Sequence, residues 1–141
     1  MASGAPVRTL TGDECWERLA RSELGRVVVS VDDEIDIFPV NYVAHEGLIF
    51  FRTAPGSKLL KLTINSSVLF EVDAASTGEG WAWSVIIKGS ARNLVSAAEI
   101  VEADKLPLTP WIATLKYEYV EVTPDQVSGR SFALGPEPER Y

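Results

Sequence analysis

The stretch that decides how this chain is read is Phe50-Phe51-Arg52-Thr53-Ala54-Pro55-Gly56-Ser57-Lys58-Leu59-Leu60-Lys61-Leu62. An apolar strand from Leu48 to Phe51 ends in Arg52 and Thr53, and a Pro-Gly turn follows. Ser57 then stands where it caps a short helix over 57–64 that begins at Lys58. A guanidinium, hydroxyls, an ammonium and the free N–H groups of a helix start are thereby grouped. Helix starts attract anions because their first amides lack partners and the macrodipole favours negative charge. Arginine adds a planar, permanently charged fork. Together these residues suit one phosphate of a cofactor or nucleotide, although a Ser before a helix is also an ordinary cap and turn cations are often merely solvated.

The acidity of the chain sharpens that grouping. Its 141 residues carry a net charge of −7, which disfavours nucleic acid or an anionic membrane surface as a partner. Basic residues clustered against such a background suit a small anion better than a long polyanion. The length fits one domain, and the 46% hydrophobic content is that of a globular protein. No apolar run reaches the roughly 18 to 20 residues that span a bilayer. The first residues have neither the charged start nor the apolar core of a signal peptide. The single cysteine, Cys15, excludes an internal disulfide framework and fits a reducing cytoplasm.

Outward from the stretch, periodicity sets the elements. Residues 1–9 read as a flexible arm, 10–132 as the domain and 133–141 as a tail. Thr11 and Glu14 form a capping-box pattern, and Cys15, Trp16, Leu19 and Ala20 recur at helical spacing, which predicts a helix over 12–22. Cys15 lacks an activating partner and reads as a packed apolar group. Val27–Val31 reads as a buried strand. Ile35–Val43 alternates, with Ile35 and Ile37 on one face and Phe38, Val40 and Tyr42 on the other. Pro39 within it marks an edge, a bulge or a close approach of ligand. His45 falls in the turn before the strand 48–53, with no second histidine to build a metal site.

Ser66–Val72 is a further strand, and Asp73–Gly80 reads as a loop. Trp81–Leu94 is a long strand whose Gly89 suggests a bulge or bend. Ser96 caps a short helix to Lys105, Tyr117–Val122 alternates, and Pro124-Asp125 reads as a turn. Antiparallel strands with few short helices suggest a small closed or split β-barrel. Neither a Gly-x-Gly-x-x-Gly nor a P-loop pattern occurs.

Four blocks in this order resemble the pyridoxamine 5′-phosphate oxidase-like flavoproteins, the FMN-binding split-barrel family, in its small actinobacterial form. They are Gly25-Arg26-Val27-Val28, Ile37–Val43, Phe51–Leu59 and Trp83–Ala91, with Val122–Arg130 matching the C-terminal end. The resemblance implies a mainly β fold, a six-stranded antiparallel Greek-key split barrel. It also implies a homodimer with two flavin sites in the grooves between subunits. Residues matching Arg52, Thr53, Ser57 and Lys58 would hold the FMN phosphate. Pro39, Val40, Asn41 and Tyr42 would run beside the ring, and Trp83 and Ser84 would approach from the partner subunit; plain packing is the other reading of Trp83.

The chain also departs from its relatives. Nitroimidazole-reductase-like members carry histidine where Arg52 stands, and the vitamin B6 oxidases carry a second basic set of which Arg130 is the only trace. Neither activity is carried over. Three functions follow. The first is an FMN-dependent oxidoreductase taking hydride from a reduced nicotinamide or small substrate, in which the cofactor supplies the chemistry. The second is a deazaflavin-dependent reductase, for which Lys61, Lys88 and Arg92 would meet a longer acidic tail. The third is a non-catalytic flavin- or haem-binding or dimerisation module, with His45 a poor haem ligand.

Overall fold

Two tight turns and one bulge shape the sheet of this protein, whose computed structural model describes residues 6–55, 65–109 and 117–137. Asp32 and Asp33, and then Glu46 and Gly47, have φ between 50° and 76°. These are the left-handed positions of two-residue hairpin turns, whose twist matches that of the flanking strands. The elements are β1 (Val7–Thr9), α1 (Gly12–Arg21), β2 (Leu24–Val31), β3 (Glu34–His45), β4 (Leu48–Thr53), β5 (Ser67–Ser76), β6 (Trp81–Asn93), α2 (Ala97–Asp104) and β7 (Glu118–Ala133).

All the strand pairings are antiparallel, and their order closes on itself as β7-β4-β3-β2-β5-β6-β7. This is a six-stranded barrel to which β1 adds a short seventh strand along the second half of β7. The strand β7 joins the whole. It holds β6 along one side, and β4 and then β1 along the other. Sixteen residues would extend about 50 Å if straight. The bulge at Lys88/Gly89 bends the pair instead, because Lys88 faces Gln126 and Gly89 faces Pro124, leaving Asp125 extra.

The barrel interior is filled. Val27, Val29, Val40, Ile49, Phe51, Phe70, Val72, Val85, Ile87, Val120 and Val122 interdigitate there. The helix α1 lies against one end of it and buries Cys15 and Leu19 in the same cluster. Its start is fastened as the sequence predicts. Thr11 Oγ1 accepts from the Glu14 N–H at 3.2 Å, and Glu14 Oε1 accepts from the Thr11 N–H at 3.0 Å. The Arg8 fork on Glu14 ties β1 to the helix and holds the Glu14 carboxyl down at about 2. A second cluster lies outside the barrel, where Ile100 and Ala103 of α2, with Leu94 ahead of the helix, pack with Phe50 and Tyr119.

Four expectations need correction. Val7–Thr9, expected in a free arm, are a strand of the sheet. Asp73–Ser76, read as loop from their small and polar side chains, continue β5 because β6 runs beside them as far as Trp81. Pro124 and Asp125 do not turn the chain. With β6 as an unbroken partner, β7 runs through them, and the bulge absorbs the proline. Among the described residues the strand count is seven rather than six, through β1. The helix expected over 57–64 lies outside the described residues.

Candidate functional site

A filled interior leaves no lumen for a ligand, so binding must occur outside the barrel or where its strands part. They part between β3 and β4. Pairing runs from His45↔Leu48 to Tyr42↔Phe51 and stops, although β3 runs back to Glu34 and β4 on to Thr53. Beyond that point, β4 stays with β7 through Arg52↔Tyr119 and Thr53↔Glu118, while β3 stays with β2.

The open edge suits Pro39. The Tyr42 N–H points toward β2 and donates to Glu23 O at 3.0 Å. Backbone groups alternate in direction along a strand, so those of Val40 and Phe38 also point that way, and those of Pro39 and Ile37 point to the open side. The missing N–H of Pro39 therefore removes no ladder bond to β2. The same alternation puts the Val40 and Tyr42 side chains in the core. Tyr42 stacks edge-on against Phe70, and its hydroxyl donates to Leu19 O at 2.6 Å. Burial pushes that phenol well above its ordinary value. At the open edge, this strand thus offers the backbone of Ile37 and Pro39 and the outward side chains of Ile37, Pro39 and Asn41.

Arg52 stands where the strands part. Its guanidinium carbon lies 3.4 Å from the centroid of the Tyr117 ring. Tyr117 meets Tyr119 edge to face, and both hydroxyls donate to Asp104 Oδ1, at 3.2 and 2.6 Å. The Arg52 Nε is buried and, among the described residues, has no hydrogen-bond partner. Arginine held by stacking, with an N–H left over, is a donor prepared for an anion. Thr53 is buried and, as the next residue on the strand, leaves it on the opposite face. Ser57 and Lys58 lie outside the described residues, as does Lys61.

Trp83 and Ser84 are not brought to Arg52 within one chain. They sit on β6, and on the strand β7 between them Arg52 stands opposite Tyr119 while Ser84 and Trp83 stand opposite Arg130 and Ser131, roughly 35 to 40 Å farther along if that strand were straight. Trp83 packs partly against the core and helps line a groove of about 350 Å³ with Trp81, Arg18, Arg21, Ser22 and Ser131. Ser84 faces the other way, opposite Asp73 and Arg130.

The outer face of β3, β2, β5 and β6 carries an apolar surface. Ile37, Val28 and Leu69 lie side by side across three strands, with Ile35 beside them and Ile86 a row away. Ile35 is 72% exposed and Ile37 60%. Among them, Arg26 Nη1 donates to both Glu71 and Asp73 at 3.0 Å. Burial, reinforced by Asp73 and opposed by Arg26, raises the Glu71 carboxyl to about 7. A further groove of about 400 Å³ lies outside β4 beside α2, between Phe50, Leu94 and Leu106. Arg92, a candidate for an acidic tail, is committed to Glu99 and Glu121. Lys88 remains exposed. His45 lies half exposed beside Glu46. Among the described residues no group of three or more His, Cys, Asp or Glu side chains gathers to hold a metal.

Sequence reasoning did not single out Tyr117 and Asp104 around Arg52, or Arg18 and Arg21 beside the two tryptophans. No local pattern signals either set, since each joins elements distant in the chain.

The profile of the family described as pyridoxamine 5′-phosphate oxidase matches residues 11–131. An uncharacterised protein of Mycobacterium tuberculosis is 45% identical over 92 residues, covering 65% of this chain and 82% of that one. A solved structure from Corynebacterium glutamicum, provisionally named a pyridoxamine 5′-phosphate oxidase, superposes with a TM-score of 0.86 at 46% identity, covering 96% of this chain and all of that one. The structure of an FAD-binding protein from Mycobacterium smegmatis superposes with a TM-score of 0.79 at 40% identity, covering 91% of this chain and all of that one. The profile over residues 11–131 and the fold shared with these relatives agree: the chain belongs to the pyridoxamine 5′-phosphate oxidase family.

Proposed function

We propose that this protein is a flavin-dependent oxidoreductase that holds a flavin nucleotide, FMN or its dinucleotide form, at the opening between β3 and β4. The observation that carries the reading is the buried Nε of Arg52, without a partner among the described residues, on a guanidinium stacked on Tyr117 at the end of an open strand edge. Such a donor fits a phosphate, with Ser57 and Lys58 following in sequence, whereas the side chain of Thr53 is buried on the opposite face of β4. On the open side, the backbone of Ile37 and the carbonyl of Pro39 offer groups of the kind that tune a flavin ring. Supporting the choice of cofactor, a relative 40% identical is an FAD-binding protein. Bound there, the flavin would supply hydride and electron transfer between a reduced nicotinamide or small substrate and an acceptor. The chain's own part is to bind and orient the ring.

The working unit is a homodimer. The apolar face around Ile35, Ile37, Leu69 and Ile86 adjoins the open edge of β3. A second copy seated on it would shield these side chains and bring its Trp83 and Ser84 toward the ring. The deazaflavin reading has less support, because Arg92 is already paired with two carboxylates.

The purified protein is expected to be yellow and to release FMN or FAD on denaturation. Arg52→Ala should weaken flavin binding at least about tenfold, because charge-assisted contacts contribute about 1.5 to 3 kcal/mol. Full affinity in that variant, or a colourless protein that binds neither flavin in titration, would refute the assignment. Sedimentation should show a dimer, and Ile37→Asp should split it.

A further inference from the structure

A groove lies between the last turn of α1 and the start of β6. Arg18, Arg21 and Ser22 form one wall; Trp81, Trp83 and Ser131 form the other. The space is about 350 Å³, within the range of small-ligand clefts. Among the described residues Arg18 makes no ion pair, its Nη1 only reaching Glu14 O at 3.5 Å. Arg21 pairs with Glu17 on the exposed helix surface. Glu79, the other nearby acid, accepts the Trp81 indole N–H at 2.7 Å, which fixes the ring at the mouth of the groove. In a chain of net charge −7, two guanidiniums facing two indoles is a local reversal of sign joined to a stacking surface.

We propose that this groove is a second binding site, for a nucleoside monophosphate group. The base stacks on the indoles, the phosphate takes the forks of Arg18 and Arg21, and the Ser131 hydroxyl is available to the sugar. A phosphate is preferred to a carboxylate because its dianion can engage both guanidiniums at once. Two sources carry this chemistry: a free nucleotide, or the adenosine-phosphate end of a dinucleotide flavin reaching from a second copy. The site shares Trp83 with the proposed flavin reading, whereas Arg18, Arg21 and Trp81 have no part in that reading.

The test is titration of the purified protein with AMP, followed by tryptophan fluorescence, beside parallel titrations with FMN and FAD. Saturable quenching by AMP is expected in the wild type. In the double variant Arg18→Ala/Arg21→Ala, AMP affinity should fall about tenfold or more. If the site serves a dinucleotide flavin, that variant also loses FAD affinity severalfold while FMN affinity stays unchanged. If it serves a free nucleotide, both flavins bind as before. The proposal is overturned if AMP at millimolar concentration leaves the fluorescence unchanged, or if AMP binds equally well to the double variant. Neither overturning result depends on whether Arg52 holds a flavin.

Discussion

Replacing Gly89 with alanine separates the effect of local propensity from that of barrel closure. In a strand, glycine normally weakens the chain, and Gly→Ala would be expected to stabilise by about 0.5 to 1 kcal/mol. Here the added Cβ would stand 2.2 Å from Thr123 O and 3.0 Å from Pro124 Cα. Ordinary contact begins near 3.4 Å, so the backbone of β7 must retreat by roughly 1 Å. Neither atom belongs to a side chain that can rotate away. The bulge brings β7 this close, and the residues beside it, Lys88↔Gln126 and Ser90↔Thr123, hold it there. Overpacking of this kind destabilises by about 1 to 3 kcal/mol, and a backbone clash belongs at the upper end. For a chain of this size that lowers the melting temperature by about 6 to 12 °C. Gly78→Ala is the control, because its Cβ would meet nothing within 4 Å. It should stay within about 0.5 kcal/mol of wild type. Calorimetry and urea unfolding of the three proteins check this. A Gly89→Ala protein that melts within about 2 °C of wild type would refute the account of the β6–β7 closure.

Two further outcomes follow from titratable groups. The Glu71 carboxyl is raised from 4.5 to about 7 in the folded chain, so the native state binds the extra proton between those values. Stability should therefore fall as pH rises through that window, and Glu71→Gln should flatten the dependence of melting temperature on pH between 5 and 7.5. An unchanged slope in the variant would count against the burial of that carboxyl. Cys15 is fully buried and its thiol is pushed above the ordinary value by burial. A disulfide reagent at pH 8 should label it slowly in the native protein and at once in denaturant. Stoichiometric labelling of native protein within the mixing time would show that α1 does not seal the barrel end.

Much of the architecture was legible because it depends on neighbours in the chain. The Thr11/Glu14 box, the alternation that sends Ile35 and Ile37 outward and Val40 and Tyr42 inward, and the Gly89 bulge are written in spacings of two to four residues. The reading failed where a strand is made by its partner. Asp73–Ser76 and Pro124–Asp125 have turn-forming residues, yet β6 supplies both with a continuous ladder. Likewise, the sequence marked Arg52 as a candidate anion ligand, but only the tertiary structure put Tyr117 against it and left its Nε without a partner among the described residues. It also withdrew Arg92 into two ion pairs and gathered Arg18 with Trp81 and Trp83. Periodicity determines which face a side chain takes, because that is a property of consecutive backbone dihedrals. Which charge meets which ring depends on the register between strands tens of residues apart, and that register is settled only when the barrel closes.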